Sequence, residues 1–337
     1  KIRTKIGAGT VYIQRPEYTR FTLQSSFGYD WTNHKQSNFS VGLLNLMLVN
    51  TPSINQRFQS YLVDLYFSGN KTLLQSFNRS IVTNTSLAYT YHQTINKNDV
   101  FLQINAEAGG TYLTLLNMLD NGFLNRNSTL NGLNYYRYVR LQAEGRYYIA
   151  TSKDSKLALR AMIGIAKSIG KNPDGTESSL PYEKFFFSGG SNSIRAWRPR
   201  RLGPGTSAII GDDGQPDYRF EQPGEMIIEA NVEYRTKLFG FVHGALFVDA
   251  GNVWMLRDDG RYGSQFDMQT FLGQFAVGAG FGLRFDFSLL IMRFDLATKV
   301  FDPVRPEGQR FVLSRTSFSD FIQLKQSVFN IGIGYPF

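Results

Sequence analysis

The feature that most constrains this chain is EMIIEANVEYRTKL, residues 225 to 238, where polarity changes sides at almost every step. Glu225, Glu229, Asn231, Glu233, Arg235 and Lys237 fall on one parity, with Ile227 the exception; Met226, Ile228, Ala230, Val232, Tyr234 and Leu238 fall on the other. A period of two places these sets on opposite faces of a β-strand. FAVGAGFGLRFDF sets Phe275, Val277, Ala279, Phe281, Leu283, Phe285 and Phe287 against Ala276, Gly278, Gly280, Gly282, Arg284 and Asp286. LLIMRFDLATK and YRYVRLQAEGRYYI follow the same rule, with Arg293, Asp295 and Lys299, then Arg140, Glu144 and Arg146, on their polar faces. A soluble sandwich strand also alternates. Length separates the cases, because soluble strands run to about 5 or 6 residues and membrane-spanning ones to about 9–11. Whole charges on one face and Tyr and Phe near the strand ends suit a watery interior and a lipid-facing girdle. The reading is an all-β transmembrane antiparallel β-barrel.

About twelve such segments occur, near 2–14, 20–32, 37–49, 80–95, 100–115, 135–150, 156–168, 225–238, 241–254, 275–287, 289–300 and 323–336. Two intervals break the rhythm: residues 51–79, long enough to hold a short helix, and residues 170–224, far longer than a hairpin needs. No repeat beyond the hairpins and no low-complexity linker marks a domain boundary, so residues 1–337 read as one barrel domain.

Composition narrows the function classes. Mean hydropathy is −0.24 and no stretch nears the roughly 18 apolar residues of a spanning helix. There are no cysteines, which removes disulfides, thiolate nucleophiles and Cys-based metal sites. The net charge is +9, but the charges alternate along strands and form no basic face, so nucleic acid is not an expected partner. His34, His92 and His243 are isolated, and no metal or cofactor is expected. Asp212, Asp213 and Asp217 form an acidic loop without the ligand order of an EF-type calcium site, and read as solvated. Gly278, Gly280 and Gly282 lack the strand-to-helix transition of a nucleotide loop and read as small inward residues of a wall. Gly189 to Ser193 lacks the Gly-x-Ser-x-Gly elbow, and no catalytic pair is present, so an enzyme is not expected. Arg198, Arg200 and Arg201 suit either lipopolysaccharide phosphates or the lumen.

The long interval contains GGSNSIRAWRPRRLGPG, residues 189–205. The segment GGSNSIRAW, with Gly189, Gly190, Ile194, Arg195, Ala196 and Trp197, resembles the lumen-loop motif of the BamA/TamA superfamily of outer-membrane assembly and translocation barrels. That motif reads Val or Ile, Arg, Gly, then an aromatic; Ala196 stands at the glycine and Trp197 at the aromatic. FVDAGNVW and GAGFGLRFDF resemble the strands that follow, and NIGIGYPF resembles the aromatic-ended strand signal, here Gly332, Gly334, Tyr335 and Phe337. IRAWRPRRLGPG is closest to the TamA-like branch, including its lipoprotein form TamL. The resemblance covers residues 183–337; before that only strand rhythm supports it.

The resemblance implies a bacterial outer-membrane location and a sixteen-strand barrel preceded by periplasmic POTRA domains. No POTRA-like segment is present and the strand count is about four short, so the chain reads as a C-terminal portion of a longer protein. It implies a loop folded into the lumen with Arg195 paired to Glu233 and Asp249, both on the inward parity of their strands. The clients would be unfolded outer-membrane proteins, the surroundings outer-membrane lipid, and the accessory partners periplasmic or inner-membrane proteins. The function implied is assembly or translocation through a seam between first and last strands, which Gly332, Gly334 and Pro336 would loosen. A porin-like channel or a dedicated two-partner secretion transporter remains the alternative.

Overall fold

The computed structural model describes residues 2–33, 36–112, 129–130, 133–170, 178–207, 209, 216–287, 289–315 and 326–337. The strands are β1 (Ile2–Gln14), β2 (Tyr18–Asn33), β3 (Ser37–Ile54), β4 (Ser80–Ile95), β5 (Asn98–Gly109), β6 (Thr129–Leu130), β7 (Leu133–Tyr135), β8 (Tyr138–Ala150), β9 (Ser155–Ser168), β10 (Met226–Phe239), β11 (Val242–Trp254), β12 (Ala276–Asp286), β13 (Ile291–Phe301) and β14 (Ser327–Ile333). Twelve of them form one sheet in sequence order, β1-β2-β3-β4-β5-β8-β9-β10-β11-β12-β13-β14, with the short β6 and β7 off that path. Each of the twelve segments read from the sequence overlaps one of these twelve strands. The links at 96–97, 151–154 and 240–241 are short, and antiparallel order puts them at one edge of the sheet and the long connections at the other.

The interval 51–79 holds two helices, α1 (Gln56–Ser68) and α2 (Lys71–Gln75), where the sequence suggested a single short one. The side chains of Asn55 and Asn70 accept the N–H groups of Arg57 and Leu73 at the two helix starts, and Gly69 ends α1 at φ 122°. Phe58, Leu62 and Leu65 form the buried stripe of α1.

By contact density the chain divides into two units. The first comprises Lys1–Tyr91, Gln103–Ala143 and Ile165–Phe185. Its core holds Phe58, Leu62, Phe77, Tyr18 and Tyr182. Within it the buried Arg20 guanidinium lies 5.0–5.1 Å from the ring centres of Tyr18, Phe77 and Tyr182 and pairs with Glu183. On the opposite face Trp31, Phe39 and Tyr89 are cross-strand partners along β2, β3 and β4, with ring centres 5.4 and 4.9 Å apart.

The second unit comprises His92–Leu102, Glu144–Gly164 and Phe186–Phe337. Along β10 its burial pattern is the reverse of a soluble strand: Glu229, Asn231, Glu233 and Arg235 are buried, while Val232 and Tyr234 are 44% and 40% exposed. Strand β11 repeats this, with Asp249 buried and Leu246 and Val248 outward. Burying carboxylates while exposing leucine is unfavourable in water. It is favourable where the outer medium is hydrocarbon and the inner face supplies counter-charges.

The three inward glycines of β12 each make room for a neighbour. A Cβ on Gly278 would lie 2.7 Å from the Ala196 methyl, and one on Gly280 would lie 2.6 Å from Cζ of Phe247. One on Gly282 would strike the Asp295 carboxylate and the Arg284 guanidinium. They read as wall residues for this reason, and not only because they are small.

Candidate functional site

The site lies within the second unit, where the segment beginning at Phe186 runs against the inner face of β10–β14. Gly189 and Gly190 take φ of 97° and 105°, the left-handed region that favours glycine, and a Cβ on Gly189 would meet the Arg198 carbonyl at 2.5 Å. The turn closes through the Gly190 N–H donating to the Trp197 carbonyl at 2.9 Å and the Trp197 N–H donating to the Ile194 carbonyl at 3.1 Å. This local folding presents Arg195 to the wall. Ala196 is absent from the residues with positive φ, so alanine fits where the family motif has glycine.

Arg195 is 1% exposed, and Glu233 and Asp249 are fully enclosed. Its Nε and Nη2 donate to the two Asp249 carboxylate oxygens at 2.8 and 2.9 Å, and Nη1 donates to Glu233 at 2.5 Å. The Arg195 backbone N–H also donates to Asp249, at 3.1 Å, and its carbonyl accepts from Asn330 of β14 at 3.0 Å. The guanidinium carbon sits 3.4 Å from the centre of the Phe247 ring. A planar fork bound by two carboxylates and backed by an aromatic face is a use of arginine that lysine could not copy.

The structure adds members that the motif does not name. Arg284 donates to Asp295 at 2.5 Å and to Glu233 at 3.2 Å, while Arg235 donates to the same Glu233 oxygen at 2.8 Å. Asp295 approaches Arg195 at 3.7 Å, and Arg293 donates to the Asn192 side chain at 2.8 Å. One step along the wall, Glu229 accepts from Ser188 at 2.7 Å and from Ser193, and Arg160 bridges Glu229 to Glu144 with both contacts at 3.1 Å. Arg284, Arg293 and Asp295 were within reach of sequence reasoning, since the alternation that placed Glu233 inward places them inward too.

Ile194, Ala196, Trp197 and Leu202 bury against Phe247, Ala276 and Ala297, with Tyr218 packed alongside. Tyr218 forms a second attachment: its hydroxyl donates to Asp302 at 2.5 Å, and the Lys299 ammonium lies 3.0 Å from Asp302 and 3.6 Å from the Tyr218 ring centre. Burial, reinforced by the Asp302 carboxylate, pushes the Tyr218 hydroxyl well above its ordinary pKa and keeps it a donor. Tyr218→Phe is expected to lower stability by about 1.5–3 kcal/mol, the usual worth of a bond to a charged acceptor, read as a fall in the urea unfolding midpoint in detergent.

At the far end, Gly332 lies opposite Arg293 and leaves room for its guanidinium, 2.6 Å from where a Cβ would sit. Strand β14 ends at Ile333, Gly334 takes φ 78°, and Tyr335 and Phe337 turn toward Arg235, whose guanidinium lies 4.4 and 5.3 Å from their rings. Arg235 also donates to the Phe337 carbonyl at 3.2 Å. Of the acidic loop, Asp217 pairs with Arg219 at 2.6 Å; Asp212, Asp213 and also His34 lie outside the described residues.

A family profile described as the Omp85 superfamily domain matches residues 2–337. Among solved structures, BamA from Haemophilus ducreyi lacking POTRA domains 1–3 superposes with a TM-score of 0.58 at 14% identity, covering 89% of this chain and 55% of that one. CdiB from Acinetobacter baumannii gives 0.47 at 12% identity over 85% of this chain and 40% of that one. The chain thus spans about half the length of these structures. No curated protein sequence matches it significantly.

Proposed function

This chain belongs to the Omp85 superfamily of bacterial outer-membrane β-barrels, and from that premise we propose that it inserts or translocates polypeptides at the outer membrane. The clients are unfolded outer-membrane proteins, offered the strand edge of β14, the last strand of the sheet order. Residues 1–337 act as the barrel domain of a longer protein, with periplasmic or inner-membrane partners engaged through domains beyond this segment.

The observation that carries the reading is the locked loop: Arg195 held by Glu233 and Asp249 at 2.5–2.9 Å inside the wall. A passive solute pore gains nothing from filling its own interior with a loop fixed by buried charge. A transporter dedicated to one exported client is the second reading, since it would use the same loop as a plug. Depletion of the protein followed by quantitative profiling of the outer membrane separates them. Collective loss of many barrel proteins, or of a defined subset, is the expected result. Unchanged barrels with the loss of one secreted protein would move the assignment to the dedicated transporter, and the loss of one solute's uptake would overturn it.

A further inference from the structure

At the tight-turn edge of the second unit, opposite the long connections, the inner wall opens into a cavity of about 870 Å³. Lys97 enters it from the β4–β5 turn, Lys153 from the β8–β9 turn, Lys156 from the start of β9 and Lys237 from the end of β10. Tyr148, His243, Tyr335 and Arg235, the last paired with Glu233, also line it. Three carboxylates also reach it, Asp99, Asp154 and Asp286. Among the described residues none of the four lysines is within ion-pair distance of a carboxylate. This contrasts with the interior of the same unit, where Arg160, Arg195 and Arg284 are each matched to an acid. Four ammonium groups against three carboxylates leave a net positive field that a bound anion would neutralise.

We infer that this cavity is a receiving site for acidic segments of extended polypeptide. The inference rests on the translocation reading above and names the client chemistry. In outer-membrane barrels the short turns face the periplasm, so the site opens where a client would arrive. The lysines come from separate turns and strands across the sheet, which scatters their charge along an arc instead of focusing it on one point. An extended chain, advancing about 3.3–3.5 Å per residue, can place successive carboxylates along such an arc. Flexible, hydrated lysines suit a site that must hold many sequences briefly, as the rigid arginine forks of the interior do not.

The test uses the full chain refolded in detergent, with polyglutamate, polylysine and inorganic phosphate as probes in a calorimetric titration. Polyglutamate is expected to bind, to weaken as salt rises, and to lose roughly 10- to 30-fold in affinity in the Lys153→Glu/Lys156→Glu/Lys237→Glu variant, as three exposed charge contacts of modest strength imply. These side chains are exposed, so the heat-modified gel shift should match the parent; if it does not, Lys→Gln at the same positions keeps the comparison, with a smaller loss of the same sign. Equal binding of polyglutamate to parent and variant, or equal binding of polylysine, overturns the inference. Phosphate binding without polyglutamate binding overturns it in favour of a compact-anion site. Failure here with intact depletion phenotypes sinks only this client chemistry, whereas unchanged barrel levels on depletion sink the assembly reading and leave the binding result standing.

Discussion

Arg195→Ala is expected to cost the folded wall about 3–5 kcal/mol, the usual penalty for removing one partner of a buried ion pair. The size follows from what stays behind: Glu233 and Asp249 are fully enclosed, and Asp295 lies 3.7 Å from the missing guanidinium. Arg284 and Arg235 still reach Glu233, but among the described residues the charged partner of Asp249 is Arg195. Arg195→Lys keeps the charge and loses the fork, so it should recover only part of the deficit. Arg195→Glu should be worse than alanine, and Glu233→Arg in that background should restore some stability. The readouts are the urea unfolding midpoint in detergent and the heat-modified shift on a gel. An Arg195→Ala protein that folds, resists heat and supports normal outer-membrane protein levels would show that the lock is dispensable.

The second large effect tests packing instead of charge. Gly278→Ala puts a methyl 2.7 Å from the methyl of Ala196, between a loop and a strand that are both fixed. Overpacking of this kind costs about 1–3 kcal/mol. Ala196→Gly removes the opposing methyl, so the Gly278→Ala/Ala196→Gly protein should regain most of the loss. The coupling from the double-mutant cycle should be of the same order as the single effect and opposite in sign. Additive single effects would mean that residues 195–197 do not lie against β12 as described. The pair also accounts physically for the departure from the family motif: an alanine beside the motif arginine is tolerated because the wall opposite is glycine.

The strands were legible because alternation sustained over more than ten residues fits a long strand and little else, and whole charges on one parity told inner from outer face. The segment at 225–238 differs from β10 by one residue at each end. Arg195, Glu233 and Asp249 came from the motif resemblance, while parity alone could have found Arg284, Arg293 and Asp295. Tyr218 and Asp302 were not legible, since both lie in connections without periodicity, and their meeting at 2.5 Å depends on how two loops fold over Lys299. The inward turn of Tyr335 and Phe337 was hidden for a similar reason. Gly334 and Pro336 mark a weak strand end, but not that the chain turns inward after Gly334, φ 78°, to meet the Arg235 guanidinium, 102 positions from Phe337. The pair of helices in 51–79 depended on the two asparagine caps and Gly69, local signals easily lost inside a polar connection.

The chain has only three tryptophans, and they occupy three unlike surroundings. Trp31 stacks on Phe39 at the outward face of β2 and β3, Trp197 is enclosed with the loop, and Trp254 is held by Phe266 and Phe275 with its indole N–H donating to Gln274 at 2.6 Å. Intrinsic fluorescence therefore divides by location without any label. A quencher carried on lipid acyl chains would act on Trp31 first, and the emission of Trp197 would respond if its segment left the wall. The molecule carries its own optical gauge of whether its interior stays filled while it works.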